Sequence, residues 1–190
     1  MSHGHPALET ATYGRAVEAE RSAKEVFFRS SPHSPLDPTA RAAFRGLDYF
    51  PVDAAYRVAG LRLLPYLGDG PVAFVMPTSA DGSRDATRAG SFVFEIAGAR
   101  QILTAYRFPG AEGVALFVPF VDATSGSETY RAGRYLDVEA QWDGRYVLDF
   151  NLAYHPYCAY SPLFSCPLPP TENRLDIRIE AGERLGALGR

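Results

Sequence analysis

The spacing of apolar positions changes period once along the chain, near Gly46. Before it, from about residue 7 to residue 30, Ala16, Ala19, Ala23, Val26 and Phe27 recur at helical spacing, while Arg15, Glu18, Arg21, Lys24 and Glu25 occupy the rest of the surface. This predicts an amphipathic N-terminal helix, either docked closely on a sheet by its small alanines or only weakly anchored, ended by Ser30-Ser31-Pro32. Asp37 followed by Pro38 marks a short second helix, because Asp caps free N–H groups and proline is tolerated at the first helical position. That helix runs to about Phe44, and Gly46 stops it.

Beyond Gly46 the period shortens to two. Tyr56, Val58, Leu61 and Leu63 suggest one strand, Val72 to Met76 a second and Leu116 to Phe120 another. Phe92, Phe94 and Ile96 alternate with Val93, Glu95 and Ala97, and Ile102, Thr104 and Tyr106 follow across Gly98-Ala99. This is a hairpin with a mirror-image two-residue turn. Arg134 to Val138 and Arg145 to Phe150 predict a second hairpin across Trp142-Asp143-Gly144. Leu175, Ile177 and Ile179 alternate with Arg174, Asp176 and Arg178, a last strand with one wet face. Short strands at close spacing without helical pattern between them argue against βαβ units. The expected architecture is mainly β (α+β): an antiparallel sandwich or small barrel over about residues 47–183, preceded by the two helices. A tail follows over 185–190.

Size and composition narrow the class further. A chain of 190 residues suits a single domain and needs no disulfide or metal to fold. With 46% hydrophobic and 22% charged residues it has the balance of a globular protein rather than a disordered one. Net charge is −3 and no basic run stands out, so nucleic acid is not an expected partner. No stretch approaches the roughly 18 apolar residues of a membrane span. The start, Met1 to Pro6, lacks the basic and apolar regions of a secretory signal, which makes the cytoplasm the expected compartment. The two cysteines, Cys158 and Cys166, are then expected to be reduced.

Two loops are unusual. One spans 122–135, from Asp122 through Thr124, Gly126, Glu128 and Tyr130 to Arg134. The other runs 149–173 with little periodicity, and loops of that length inside compact domains are often functional. Tyr154, Tyr157 and Tyr160 in it combine a ring wall with hydrogen-bonding tips. The loop is either a lid on one end of the β-structure or the wall of a ligand pocket. Arg134 and Asp149, one hairpin arm apart, suggest an ion pair or a device for holding an anionic group. The candidate ligand-lining set is Glu128, Arg134, Asp149, Asn151, Tyr154, Tyr160, Glu172 and Asn173. His3 and His5 are read as exposed and inert. His155, Cys158 and Cys166 supply three zinc-type donors, but at an unfamiliar spacing and without an evident fourth. Nucleophile elbows, P-loops, dinucleotide fingerprints and H-E-x-x-H are all missing, so catalytic residues and cofactors are left unassigned.

Several blocks carry a family resemblance. Phe44-x-Gly46-Leu47-x-Tyr49-Phe50-Pro51-Val52-Asp53 leads to Tyr56-Arg57-Val58. Leu116-Phe117-Val118-Pro119-Phe120-x-Asp122-x-Thr124-Ser125-Gly126 continues to Glu128-Thr129-Tyr130-x-Ala132-Gly133-Arg134-Tyr135-Leu136. Leu148-Asp149-Phe150-Asn151, Pro156-Tyr157-Cys158-Ala159-Tyr160 and Cys166-Pro167-Leu168-Pro169-Pro170-x-Glu172-Asn173 complete it. Together they resemble the bacterial and archaeal domain-of-unknown-function family numbered 1684, over most of the chain from near Arg21 to Glu183. The resemblance implies no activity. It places both loops within the family pattern, and it implies Asn where this chain has His155, which weakens His155 as a shared ligand or base.

Three functional readings stand open. The first is a domain binding a small polar or anionic molecule at a pocket formed by the 122–135 and 149–173 loops. The second is a structural or partner-binding module, compatible with a homodimer. The third is a metal or redox protein centred on the two cysteines.

Overall fold

The computed structural model describes residues 6–110 and 115–186. His3, His5 and the end of the tail, 187–190, lie outside the described residues. Helix α1 is Pro6–Ser30 and α2 is Pro38–Ala43, capped by the Asp37 side chain on the Ala40 N–H at 2.8 Å. Among the described residues nine strands follow: β1 Asp48–Tyr49, β2 Arg57–Leu61, β3 Ala73–Pro77, β4 Ser83–Ile96, β5 Ala99–Arg107, β6 Leu116–Phe120, β7 Arg134–Val138, β8 Tyr146–Asp149 and β9 Glu183–Arg184.

Among the described residues the architecture is a mixed one of two helices and antiparallel sheets, as expected in outline, without a closed barrel or sandwich. Strands β3-β4-β5-β6-β7 form one open five-stranded sheet, while β2 pairs with β8 and β1 with β9 in separate two-stranded sheets. The β4–β5 hairpin forms as expected, one residue earlier. Ile96 faces Ala99, and Ala97 and Gly98 make the turn at φ 51° and 72°, the two positive values a type I′ turn requires. Strand β4 bends at Gly90, where a side chain would run into the Leu64 carbonyl at 2.4 Å.

The second expected hairpin is corrected. A tight turn does form at Gln141–Gly144, but β7 pairs with β6, and β8 leaves for β2. The last expected strand also fails to form a ladder, although its alternation holds: Leu175 and Ile179 are buried. The segment hydrogen-bonds irregularly beside residues 121–123, and side chains take over from backbone partners. The Ile179 N–H goes to the Asp122 carboxylate at 2.8 Å, and the Ile179 carbonyl accepts from Arg134 at 2.8 Å.

Because successive strand residues face opposite sides, the five-stranded sheet has two buried faces. One carries Phe92, Phe94, Leu103, Val118, Phe120 and Leu136, packed against Leu148, Phe150, Leu175 and Ile179. The other carries Met76, Tyr106, Phe117 and Tyr135, with Cys166 and the tyrosines of the 149–173 loop against it. A third cluster, Phe28, Leu36 and Phe44, joins the helices to Tyr157 and Tyr160. The aromatic second face and helix α1 frame the candidate site.

Helix α1 does not dock by its alanines. Ala16, Ala19 and Ala23 are exposed, and Val26 is 57% exposed. The inward residues are Tyr13, Val17, Arg21, Lys24 and Phe28, each three or four positions from the last. The inward seam is rotated relative to the alanine stripe because its polar members find fixed partners on the β-domain.

Candidate functional site

The seam is anchored at Glu183, which is 1% exposed although it carries a carboxylate. One oxygen takes the Lys24 ammonium. The other accepts the His155 backbone N–H at 2.6 Å and the Tyr160 hydroxyl at 2.7 Å. Buried carboxylates survive only when surrounded by donors in this way. Burial, reinforced by Glu183, holds the Tyr160 phenol far above its ordinary pKa, so it stays a donor. The Lys24 ammonium lies 4.7 Å from the centre of the Tyr154 ring, and the Arg21 guanidinium covers the Tyr49 ring at 4.5 Å.

His155 is as buried as Glu183. Its Nε2 accepts the Tyr130 N–H at 3.1 Å, which leaves the proton on Nδ1, 3.7 Å from Glu183. Burial lowers its pKa to about 4, helped by Arg134 and Lys24 and opposed by Glu183. The ring is therefore neutral at neutral pH. Its Nε2 is committed to Tyr130, and among the described residues no three His, Cys, Asp or Glu side chains converge to hold a metal. The zinc arrangement of His155, Cys158 and Cys166 does not form. Both cysteines are free thiols, Cys166 buried and Cys158 half-buried.

The candidate ligand-lining residues separate into several places. Arg134 is fully buried between the Phe50 and Phe120 rings, and its expected partner Asp149 is replaced by Asp122 at 3.3 Å. Its guanidinium also donates to the carbonyls of Ile179, Ala181 and Glu183. It thus cross-links β7 to the chain's last segment, since its fork replaces a missing ladder. Asp149 instead accepts the Tyr13 hydroxyl at 2.8 Å and lies 3.7 Å from Arg57. Asn151 is spent on the Asp53 N–H and carbonyl, and Asn173 on the N–H and carbonyl of Thr104 and the carbonyl of Pro119. Glu172 holds Arg88 at 2.8 Å and the Tyr106 hydroxyl at 3.0 Å, while Glu128 pairs with Arg178 at the surface. Tyr160 points at Glu183.

Of this set, only Tyr154 lines the cleft beside helix α1. That cleft holds about 620 Å³ between α1, the aromatic face of the sheet and the 149–173 loop. Phe27 and Phe28 come from α1, Phe117 and Tyr135 from β6 and β7, and Tyr157 and Phe164 from the loop. Its polar groups are Lys24, Arg84, Asp137, Tyr154, Ser165 and Cys166. Tyr154 donates to Asp137 at 2.6 Å, and burial with that carboxylate keeps its phenol protonated. The Arg84 guanidinium lies over Phe108 at 4.7 Å and has no carboxylate within ion-pair distance among the described residues. A smaller cavity of about 200 Å³ lies behind Lys24 and Tyr154, bounded by Arg21, Tyr49, Asn151 and Glu183.

Sequence reasoning named the loop but missed Lys24, Arg84, Phe108, Phe117 and Asp137. Lys24 carried a signal: its place three residues after Arg21 and four before Phe28 puts all three on one face. The strand residues carried none, because strand order had first to bring β4, β6 and β7 to one side.

No curated protein matches the chain. An uncharacterized protein of Haloarcula marismortui, solved in solution by NMR, is 38% identical over 93% of this chain and 96% of its own, with a TM-score of 0.68. The family model for the protein of unknown function DUF1684 matches residues 42–184. These residues run from α2 to β9 and include the sheet, both loops and Glu183, so the chain belongs to the DUF1684 family.

Proposed function

We propose that the chain binds a small amphipathic molecule, an apolar body with an acidic head, in the 620 Å³ cleft. The observation that carries this reading is an aromatic-lined cleft whose lining includes a cation, Arg84, with no carboxylate partner among the described residues. Its volume lies within the roughly 300–1,000 Å³ typical of small-molecule sites, and an apolar lining with few polar groups is their usual composition. Lys24 is already neutralised by Glu183, which leaves Arg84 as the cation for an acidic head; Asp137 accepts from Tyr154 and keeps its charge, so the head belongs at Arg84 and away from Asp137. A guanidinium stacked on a ring offers its N–H edge to a carboxylate. This differs from a site at the 122–135 loop, where Arg134 is consumed internally.

Thermal unfolding in the presence of octanoate, octanol and octylamine tests the proposal. Octanoate should raise the midpoint most, because a ligand bound only by the folded state stabilises it by mass action. Arg84→Gln should reduce the octanoate effect and leave the octanol effect unchanged. Equal responses to octanoate and octylamine, or none to either, would remove the acid-head reading.

A partner-binding module is the second reading. Its support is apolar exposure away from the cleft: Trp142 is 98% exposed, and Val72 and Val75 lie open at the edge strand β3. Sedimentation of the protein across a concentration series separates self-association from a monomer.

A further inference from the structure

We infer that Cys158 and Cys166 form a dithiol site oxidised by small peroxides to an intramolecular disulfide, Cys158 being the thiol oxidised first. The two thiols are eight residues apart, at the two ends of the loop that supplies Phe164 to the cleft. They are nonetheless in contact: the Cys158 N–H donates to the Cys166 sulfur at 3.3 Å. Two hydroxyls lie beside the pair: Tyr130 donates to the Cys158 backbone carbonyl at 3.5 Å, and Ser79 accepts the Cys166 N–H at 3.1 Å. The thiolate is the reactive form of a cysteine, and polar neighbours with partial exposure favour it. The same geometry lowers the Cys158 thiol below its ordinary range and pushes the Cys166 thiol up. Exposure follows the same division, since Cys158 is partly open and Cys166 is buried on the cleft side.

The chemistry balances as two displacements. The Cys158 thiolate attacks the outer oxygen of a hydroperoxide, the O–O bond breaks, and the alkoxide or hydroxide leaves with a proton, giving a sulfenic acid on Cys158. The Cys166 thiol then attacks that sulfur, forming the S–S bond and releasing water. Two thiols are oxidised and one peroxide is reduced; two molecules of a small external thiol return the pair by successive exchange and leave joined as one disulfide. The new bond closes the neck of the 158–166 loop. It thereby fixes the wall that carries Phe164, Ser165 and Cys166, whatever molecule the cleft takes.

The test uses the full, reduced chain with one equivalent of hydrogen peroxide, followed by thiol titration and intact mass. The expected result is loss of both titratable thiols with loss of two hydrogens in a monomer, reversed by dithiothreitol. Cys166→Ser should stop at a sulfenic acid that dimedone traps, and Cys158→Ser should react far more slowly than the native chain. Retention of both thiols, a disulfide between two copies, or an unchanged rate in Cys158→Ser would each overturn the assignment. The native measurement needs no variant, so a poorly folding mutant does not leave the matter open.

Discussion

At the scale of single residues, the interior is held by polar groups that look like site residues in the sequence. Arg134 is the plainest case. Its hydrogen bonds to Asp122 and to the carbonyls of residues 179, 181 and 183 replace a strand ladder. Arg134→Met strands the Asp122 carboxylate in a dry interior, and breaking a buried pair from one side costs about 3–5 kcal/mol. Arg134→Lys should recover little of it, because one ammonium cannot span the same acceptors. Chemical denaturation measures both variants; a loss below about 1 kcal/mol in the Met variant contradicts the role. His155 gives a second prediction, with a pH signature. Its folded-state pKa is about 4 against an ordinary 6.5, so between those values the unfolded chain binds a proton that the folded chain refuses. This contribution to stability is complete above pH 6.5 and declines as pH falls toward 4, approaching a loss of roughly 3 kcal/mol. Asn, the residue the family resemblance implies at this position, accepts from the Tyr130 N–H without titrating. His155→Asn should therefore flatten that part of the acid slope, and parallel stability–pH curves for the two proteins would refute the assignment.

At the scale of elements, helix α1 shows how an amphipathic pattern misleads. Alanine is small, frequent and a strong helix former, so a stripe of alanines marks helix propensity as much as it marks a buried face. Arg21 and Lys24 were read as solvated because long cations usually are. They face inward here since Glu183, the Asn151 carbonyl and the rings of Tyr49 and Tyr154 receive them. Asn151, Tyr154 and Glu183 lie more than a hundred residues away and Tyr49 in a different element, beyond any local pattern. The consequence is a contrast that mutation can read. Ala19→Glu, on the exposed face, should change stability by no more than about 0.5 kcal/mol. Lys24→Met leaves the Glu183 carboxylate, 1% exposed, without its cation and should cost several times that amount. The Lys24 side chain itself is 24% exposed, which places the loss below that of a wholly buried pair. Urea titration of both variants decides the matter, and the opposite ranking would restore the alanine face as the docking surface.

At the scale of the whole molecule, local alternation was legible and long-range pairing was not. The β4–β5 hairpin needs only a turn and two alternating runs, so its residues announce it. The separation of β7 from β8 depends on β2 offering a better edge, and the irregular course of 174–182 depends on Asp122 and Arg134 supplying side-chain partners. The same limit applied to the cleft: the loop was visible, while the strand face opposite it was not. These two kinds of structure should also differ in stability. The β4–β5 core buries Phe92, Leu103 and Ala105 completely, whereas α1 is held by one apolar cluster and a polar seam. Elements with fewer buried apolar contacts open at lower free energy than the global transition. Native-state hydrogen exchange should show the amides of Leu103 and Ala105 exchanging only with global unfolding, and those of Val17 and Arg21 through a smaller opening that releases α1. Because α1 forms one wall of the cleft, a guest molecule there should slow exchange in α1 more than in β5. If α1 and β5 share one opening free energy, the helix is an integral part of the core, and access to the cleft must come from the 157–166 loop instead.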